Sequence, residues 1–499
     1  MSPASLFAVV LAYFALLLGV AWRTSRNATN DSFFIGNKNS NWLLVAFGMV
    51  GTTLSGVTFI SVPGAVGRDG FGYLQIMLGY VLGYVTVAFV LLPLYYRLKL
   101  TSIYHYLDVR LGRRSYQSGA AFFILSRTLG ASARLYLVVN ILQATLLDSL
   151  GVPFWATALV ILAMILLYTY DGGVKTIVWT DTLQTAGMLA GLVACAAFLL
   201  HAQDLDVAGA LARMDGQGLS RVLTLDVHSP AYFWKQVVAG MFITIAMTGM
   251  DQEMMQKNIS VRTLADAQKN MVLLTVILTA VLALFLFLGG LLHLYAPVAG
   301  VAAKGDQLFP AIVMGHLPAA LQLVFFIALI SALFPSADGA ITALTSSVCI
   351  DLLGIARRND LSEAQRVRLR RRVHLAFCAL FLALVMVFKW IASPSMIGVI
   401  LKLAGYTYGP LLGLFAFGIL TRRTVDDRMV PLVVLAGPAL CWLIDLWQGA
   451  LFGSYRIGLE LLVVNGLLVM GGLFLISRPS GKSAPYPLKC CQKLNFNKE

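Results

Sequence analysis

Charge is what this 499-residue chain has least of: Asp, Glu, Lys and Arg make up 12% of it, against 59% hydrophobic residues. Soluble domains carry about 25% charge, so a water-soluble globule is excluded. Polar stretches long enough for a soluble domain are missing too. The longest gaps between apolar runs, 202–230 and 351–372, read as loops. The six cysteines form no disulfide framework. Cys195, Cys349, Cys378 and Cys441 fall in or beside apolar runs, where cysteine packs as a small hydrophobe. Cys490 and Cys491 sit in a tail after Pro479 that reads as disordered, with nothing to support lipidation. No HExxH, GxSxG or P-loop pattern occurs, so nothing points to hydrolysis or phosphoryl transfer, and neither an enzyme nor an organic cofactor is expected.

What the chain does have is apolar runs of about 20 residues, the length that crosses a bilayer core, and a mean hydropathy of +0.81. Thirteen are present, at about 4–22, 42–66, 72–96, 117–148, 153–170, 174–201, 231–251, 271–296, 318–350, 373–392, 397–419, 429–448 and 457–477. They predict an all-α polytopic membrane protein, multi-pass in the plasma (inner) membrane. The first run has no small-residue cleavage pattern after it and is read as retained. The net charge of +14 is explained by where the charges lie. Alternate loops collect 22 Lys and Arg, Lys257 and the run Arg366 to Arg372 among them; the other set holds only Arg68, Arg213, Arg221, Lys304 and Arg456. The positive-inside rule then gives an external N-terminus and a cytoplasmic C-terminus, and the basic balance needs no nucleic acid.

One run is interrupted. Gly51-Thr52-Thr53-Leu54-Ser55-Gly56-Val57-Thr58 places small and hydroxylated residues where hydrocarbon is expected. Two readings fit: close packing of small residues against a neighbour, or an unwound segment lining an ion or substrate site. Ionisable residues within runs are costly and face a partner or a cavity. Four stand out: Arg127, Arg134, Asp181 and Asp338. The run holding Asp338 also carries Ser331, Ala332, Ser336, Gly339, Thr342, Thr345, Ser346 and Ser347. At helical spacing Gly51, Leu54, Ser55 and Thr58 share a face, as do Ala332, Pro335, Ser336 and Gly339. Pro335 lacks an N–H and frees a carbonyl one turn earlier. Freed carbonyls and hydroxyls suit a small hard cation such as Na⁺.

These motifs, together with Trp179-Thr180-Asp181, Asp251-Gln252 through Gln256, Pro335-Ser336-Ala337-Asp338 and the loop Lys99-Leu100-Thr101-Ser102, Tyr104, Tyr106-Leu107, resemble in order and spacing the sodium:solute symporter family over about 5–475. The resemblance implies the leucine-transporter fold with two five-helix inverted repeats. The division is then 1–41, an extra helix and cytoplasmic linker; 42–201, the first repeat; 202–230, an external loop; 231–419, the second repeat; 420–478, two further helices; and 479–499, a cytoplasmic tail. It implies a Na⁺ site at the carbonyls of Gly51, Leu54 and Ala332, with Pro335 and Ser336 at the two hydroxyl positions. Ser336 matches and Pro335 has lost its hydroxyl. A second cation site, known in some sialic acid transporters of the family, falls on Asp181, with Pro335, Asp338 and Gly339 at its serine positions. That site has lost its hydroxyls and gained a carboxylate, so a second Na⁺, a proton and a purely structural Asp338 all stay open.

The resemblance places a substrate pocket at mid-membrane, lined by Ser55, Thr58, Tyr73, Met77, Arg134, Thr248 and Gln252. Gly130 aligns with the arginine that holds a sialic acid carboxylate in relatives, and Arg134 lies one turn on. Arg134 either forks onto a substrate carboxylate or pairs with an aspartate or a helix C-terminus, and Arg127 is expected to be structural. The expected function is sodium-coupled import of a small polar organic solute by alternating access, with sialic acid or another carboxylate favoured. A sugar or polyol, an amino acid, a proton-coupled transporter of the same fold and a membrane sensor are the alternatives. The partners are substrate, sodium and the lipid bilayer.

Overall fold

The computed structural model describes residues 3–24, 33–34, 38–170, 173–355, 358, 360–391 and 396–479. The tail with Cys490 and Cys491 lies outside the described residues. In chain order the helices are α1 (Pro3–Thr24), α2 (Trp42–Asp69), α3 (Tyr73–Arg97), α4 (His105–Arg110), α5 (Arg113–Thr145), α6 (Phe154–Thr169), α7 (Gly173–Ala202), α8 (Val207–Gly216), α9 (Phe233–Gly249), α10 (Gln252–Ile259), α11 (Leu264–Val298), α12 (Leu308–His316), α13 (Ala319–Leu352), α14 (Glu363–Ile391), α15 (Met396–Leu420), α16 (Val430–Phe452) and α17 (Leu461–Leu475). One antiparallel pair of two-residue strands joins Thr424–Val425 to Ser477–Arg478.

Each predicted apolar run lies on a helix. Among the described residues nine helices are long and apolar enough to cross a bilayer, and α9 and α10, bent by 63° at the break between them, pass the same test as a pair. Leu11–Thr24, α6 and α17 are apolar but shorter. Three boundaries differ from expectation. The gap 202–230 contains α8, and α14 starts at Glu363, inside the second gap, so the whole basic run Arg366 to Arg372 lies on a helix. Arg370 there is buried against the Phe33 ring, 4.2 Å from its centroid. The third difference matters most: residues 252–259, expected at the cytoplasmic surface, form the second half of a broken span in which every residue is buried.

Lipid tails give packed helices no hydrophobic reward, so close approach and internal hydrogen bonds hold such a bundle together. Helix α13 shows why its small residues are there: every residue from Ala328 to Ser347 is buried, enclosed by α7, α2 and α5. Helices α3 and α9 cross where Gly79 meets the carbonyl of Val237 and Gly240 meets that of Ile76, and a Cβ at either glycine would overlap the opposing backbone. The four described cysteines are free and buried.

Candidate functional site

Helix α2 breaks at Ser55, whose φ of 37° and ψ of 166° are non-helical. A non-glycine residue at positive φ costs about 1–3 kcal/mol and persists only where its surroundings hold it. The surroundings do so here, since Leu54 through Gly64 are all buried. The break ends the helical register, so Gly51, Leu54, Ser55 and Thr58 do not form the continuous stripe an unbroken helix would present. Instead Gly51 and Leu54 finish one segment, and Ser55 and Thr58 begin the next.

The first segment meets α7 and α13. The Gly51 N–H donates to Thr185 Oγ1 at 3.2 Å, and a Cβ on Gly51 would lie 3.6 Å from Pro335 Cγ. One on Gly56 would lie 3.8 Å from the Leu333 nitrogen. The break therefore sits against Ala332–Ser336, which brings the five expected sodium-binding residues into one neighbourhood. Ser336 Oγ donates to the Leu333 carbonyl at 2.8 Å, leaving its lone pairs free. Pro335 cannot pair the carbonyl one turn before it. Thr185, not anticipated from sequence, adds a hydroxyl at the same level.

The second break, between α9 and α10, is built differently. Its freed carbonyls are taken: Tyr95 donates to Gly249 at 2.7 Å and Tyr104 to Met250 at 3.0 Å. Its freed N–H groups are capped, with Asp251 Oδ1 accepting from Glu253 and Met254. Around Ser55, among the described residues, no side chain donates to the carbonyls of Gly51, Leu54 or Ala332. The two breaks thus differ in their side chains: tyrosine hydroxyls occupy the carbonyls of Gly249 and Met250, while no described side chain competes for those of Gly51, Leu54 or Ala332.

Behind the breaks lies a buried charge cluster. Asp181 Oδ2 accepts from Lys257 Nζ at 2.6 Å and from Thr52 Oγ1 at 3.1 Å, and Lys257 also donates to Thr52 at 2.6 Å. Glu253 lies 3.8 Å from the Lys257 ammonium and pairs directly with Arg127, which is 3.9 Å from Asp251. Asp251 accepts a hydrogen bond from Tyr408 at 2.6 Å. Asp338 accepts from Tyr168 at 2.7 Å, with the charges of Asp181 and Lys257 both acting on it. Gly339 is needed beside the cluster, where a Cβ would overlap Glu253 and lie 3.3 Å from Lys257 Nζ. The sequence reading identified Asp181 and Asp338 but assigned Lys257 to a cytoplasmic loop and passed over Glu253. Arg127 is the ion-pairing residue expected.

In front of the breaks is a cavity of about 100 Å³. Of the seven expected substrate-site residues, Ser55, Thr58, Tyr73, Arg134 and Thr248 line it. Met77 and Gln252 do not. Met77 is packed in the apolar core. Gln252 clamps the loop before α4, accepting from the Ile103 N–H and donating to the Thr101 carbonyl, both at 3.0 Å. The lining mixes aliphatic residues, Ile243, Met247, Met254, Leu278 and Ile400 among them, with the hydroxyls of Thr52, Thr53, Thr244, Tyr80 and Tyr84. Two guanidiniums reach it, those of Arg127 and Arg134, while no Asp, Glu, Asn or Gln does. Arg127 is ion-paired. Arg134 makes no hydrogen bond or salt bridge to any described residue. Gly130, one turn away, is not among the lining residues.

The family model described as sodium:solute symporter family matches residues 33–427. The human sodium/iodide cotransporter is 26% identical over 417 residues, covering 81% of this chain but 63% of its own length. The bovine sodium-coupled monocarboxylate transporter 2 is 25% identical over 517 residues, covering 97% of this chain and 75% of its own. A solved structure described as the substrate-bound outward-open state of a Na⁺-coupled sialic acid symporter with a novel Na⁺-site superposes with a TM-score of 0.81. It covers 94% of this chain and 97% of its own at 18% identity, a likeness of fold.

Proposed function

The chain belongs to the sodium:solute symporter family, and from that premise we propose that it carries a small organic monoanion, a carboxylate, across the plasma membrane together with Na⁺. Proteins of this family are transporters, not enzymes. The observation that carries the substrate class is Arg134: a guanidinium facing a mid-protein cavity, free of hydrogen-bond or salt-bridge partners among the described residues, with no carboxylate in the lining. A planar fork of donors in a pocket of about 100 Å³ lined by aliphatic and hydroxyl side chains matches a carboxylate on a compact body. The lining hydroxyls of Ser, Thr and Tyr could serve a sugar as well, so the preference for an acid rests on Arg134, which has no carboxylate in the lining to pair with. The cavity's size, about 100 Å³, moves the preference within the acids, away from sialic acid and toward a smaller monocarboxylate. The relatives named for iodide and for monocarboxylates fit a singly charged anion.

Sodium is assigned to the α2 break. Neutral oxygens from Gly51, Leu54, Ala332, Pro335 and Ser336, with Thr185 beside them, suit a monovalent cation. Occupation by Na⁺ would tie the unwound segment of α2 to α13 and fix Ser55 and Thr58 where they line the cavity. The two repeats, 42–201 and 231–419, each begin with a broken helix, and they supply the elements for alternating access. The N-terminus is assigned outside and the C-terminus to the cytoplasm.

The test is thermal stability of the purified chain in NaCl against choline chloride, with lactate, benzoate, iodide, sialic acid, glucose and proline in each. A ligand at a hundred times its Kd stabilises the native state by about 2.7 kcal/mol. Sodium alone should raise the midpoint, and a monocarboxylate should add to it only in sodium. A response to glucose or proline without any anion response would overturn the substrate class. Anion binding indifferent to sodium would point to proton coupling instead.

A further inference from the structure

With Lys257 in place, the second cation position does not admit a sodium ion. Of the residues expected there, Pro335 and Gly339 have no side-chain oxygen, and Asp338 is bonded to the Tyr168 hydroxyl and to the Gly339 N–H. What stands beside Asp181 is already a cation. The Lys257 ammonium, on a side chain 4% exposed, lies 2.6 Å from Asp181 Oδ2 and from Thr52 Oγ1, and 3.8 Å from Glu253 Oε1. It sits over Gly339, the glycine whose missing side chain leaves it room. It reaches there from α10, the half-helix whose polar sequence is buried throughout. Asp181 Oδ1 and Glu253 Oε1 are buried without hydrogen-bond partners, so the pocket holds more acceptor oxygen than the ammonium uses. A charge in a membrane interior is retained when it is paired there or forms part of an ion pathway.

We infer that the Lys257 ammonium is the resident cation of the second position, so that the chain binds a single Na⁺, at the α2 break, and that removing the ammonium opens the second position to Na⁺. This rests on the sodium-coupled reading above. A mobile ion leaves in each cycle; a tethered one stays and keeps α10 joined to α7 and α2.

The experiment counts Na⁺ on the purified full-length chain by saturation with radioactive sodium, with no organic substrate present. Wild type should bind one Na⁺ per chain without cooperativity. Lys257→Met should bind two. The double variant Asp181→Asn with Lys257→Met, which removes the buried pair together and leaves neither partner orphaned, should bind one, with wild-type affinity. Two ions on wild type would overturn the inference, as would one on a folded Lys257→Met. Loss of all sodium from the folded double variant would assign Asp181 to the first site and overturn it too. No sodium on wild type would instead overturn the sodium reading itself. Should Lys257→Met fail to fold, wild type and the double variant still decide.

Discussion

Arg127 and Arg134 are seven residues apart on α5, two turns along one face, and both reach the cavity, yet replacing each with glutamine should do opposite things. Arg134 has no described hydrogen-bond or ion-pair partner, so Arg134→Gln orphans no carboxylate, and the thermal midpoint without ligand should hold or rise. Its cost falls on the anion. Two charge-assisted hydrogen bonds of about 1.5–3 kcal/mol each set an upper bound near 6 kcal/mol. After the desolvation that both groups undergo, about 2–4 kcal/mol remains, or roughly 30- to 700-fold in Kd. Arg134→Lys keeps the charge but loses the fork and should fall between. Arg127→Gln leaves Glu253 beside Asp251 with only the Lys257 ammonium, 3.8 Å away, and breaking a buried pair from one side costs about 3–5 kcal/mol of stability. The assay is the midpoint of each purified variant in NaCl, then titration with the monocarboxylate that gives the largest sodium-dependent shift. The reasoning is refuted if Arg134→Gln binds that acid within about threefold of wild type, or destabilises the chain as much as Arg127→Gln does.

Gln252→Ala should lower stability by about 2–4 kcal/mol, because it leaves the Ile103 N–H and Thr101 carbonyl unpaired, while anion affinity measured well below the melting range changes by less than about twofold. A large affinity loss would return Gln252 to the substrate site. Gly339→Ala forces a methyl against Glu253 and Lys257 and should cost about 1–3 kcal/mol by overpacking, read by midpoint; an unchanged midpoint would refute the close fit of the cluster over Gly339. Asp306, outside the membrane-spanning helices, accepts from the Met396 N–H at 3.3 Å, and burial pushes its carboxyl above the ordinary value. The folded state thus disfavours its charged form: this contribution is fully present below the ordinary pKa and falls as pH rises toward the raised one. Asp306→Asn should flatten that acid-side slope in a midpoint-against-pH series, and an unchanged slope would assign it to another group.

Much of the fold was legible because bilayer-length apolar runs are a strong signal, and each run lies on a helix. The break in α2 was legible as one of two readings: Thr52, Ser55 and Gly56 have no use on a lipid-facing helix, but close packing against a neighbour would use them too. The half-helix 252–259 was not. Asp251, Gln252, Glu253, Gln256 and Lys257 have the composition of a surface loop, and only the three-dimensional neighbours show why they tolerate burial. Arg127 answers Glu253, Asp181 answers Lys257, and Tyr408 answers Asp251. A buried ion pair reads in sequence as two separate surface charges when one partner lies far along the chain, and Lys257 and Asp181 are 76 residues apart. The spacing of Asp251, Glu253 and Lys257, an N-cap followed by an i, i+4 acid–base pair, was the available clue that this stretch is helical. The Arg134 alternatives were undecidable from sequence because the choice turns on a missing partner.

The two cation positions, taken together, constrain the energetics of transport. A symporter that moves one Na⁺ with one monoanion transfers no net charge, so the membrane potential, worth about 2.3 kcal/mol per charge per 100 mV, contributes nothing to accumulation. A second mobile Na⁺ would make the cycle electrogenic and add that amount. With Lys257 tethered in the second position, the positive charge beside Asp181 is present in every state and moves only as far as α10 does. The accumulation limit is then set by the sodium gradient alone. The Lys257 ammonium in turn has to hold α10 against α7 and α2 whether or not Na⁺ is bound. On the proposed sodium site, the α2 break against α13 is then the contact that sodium itself would make and release.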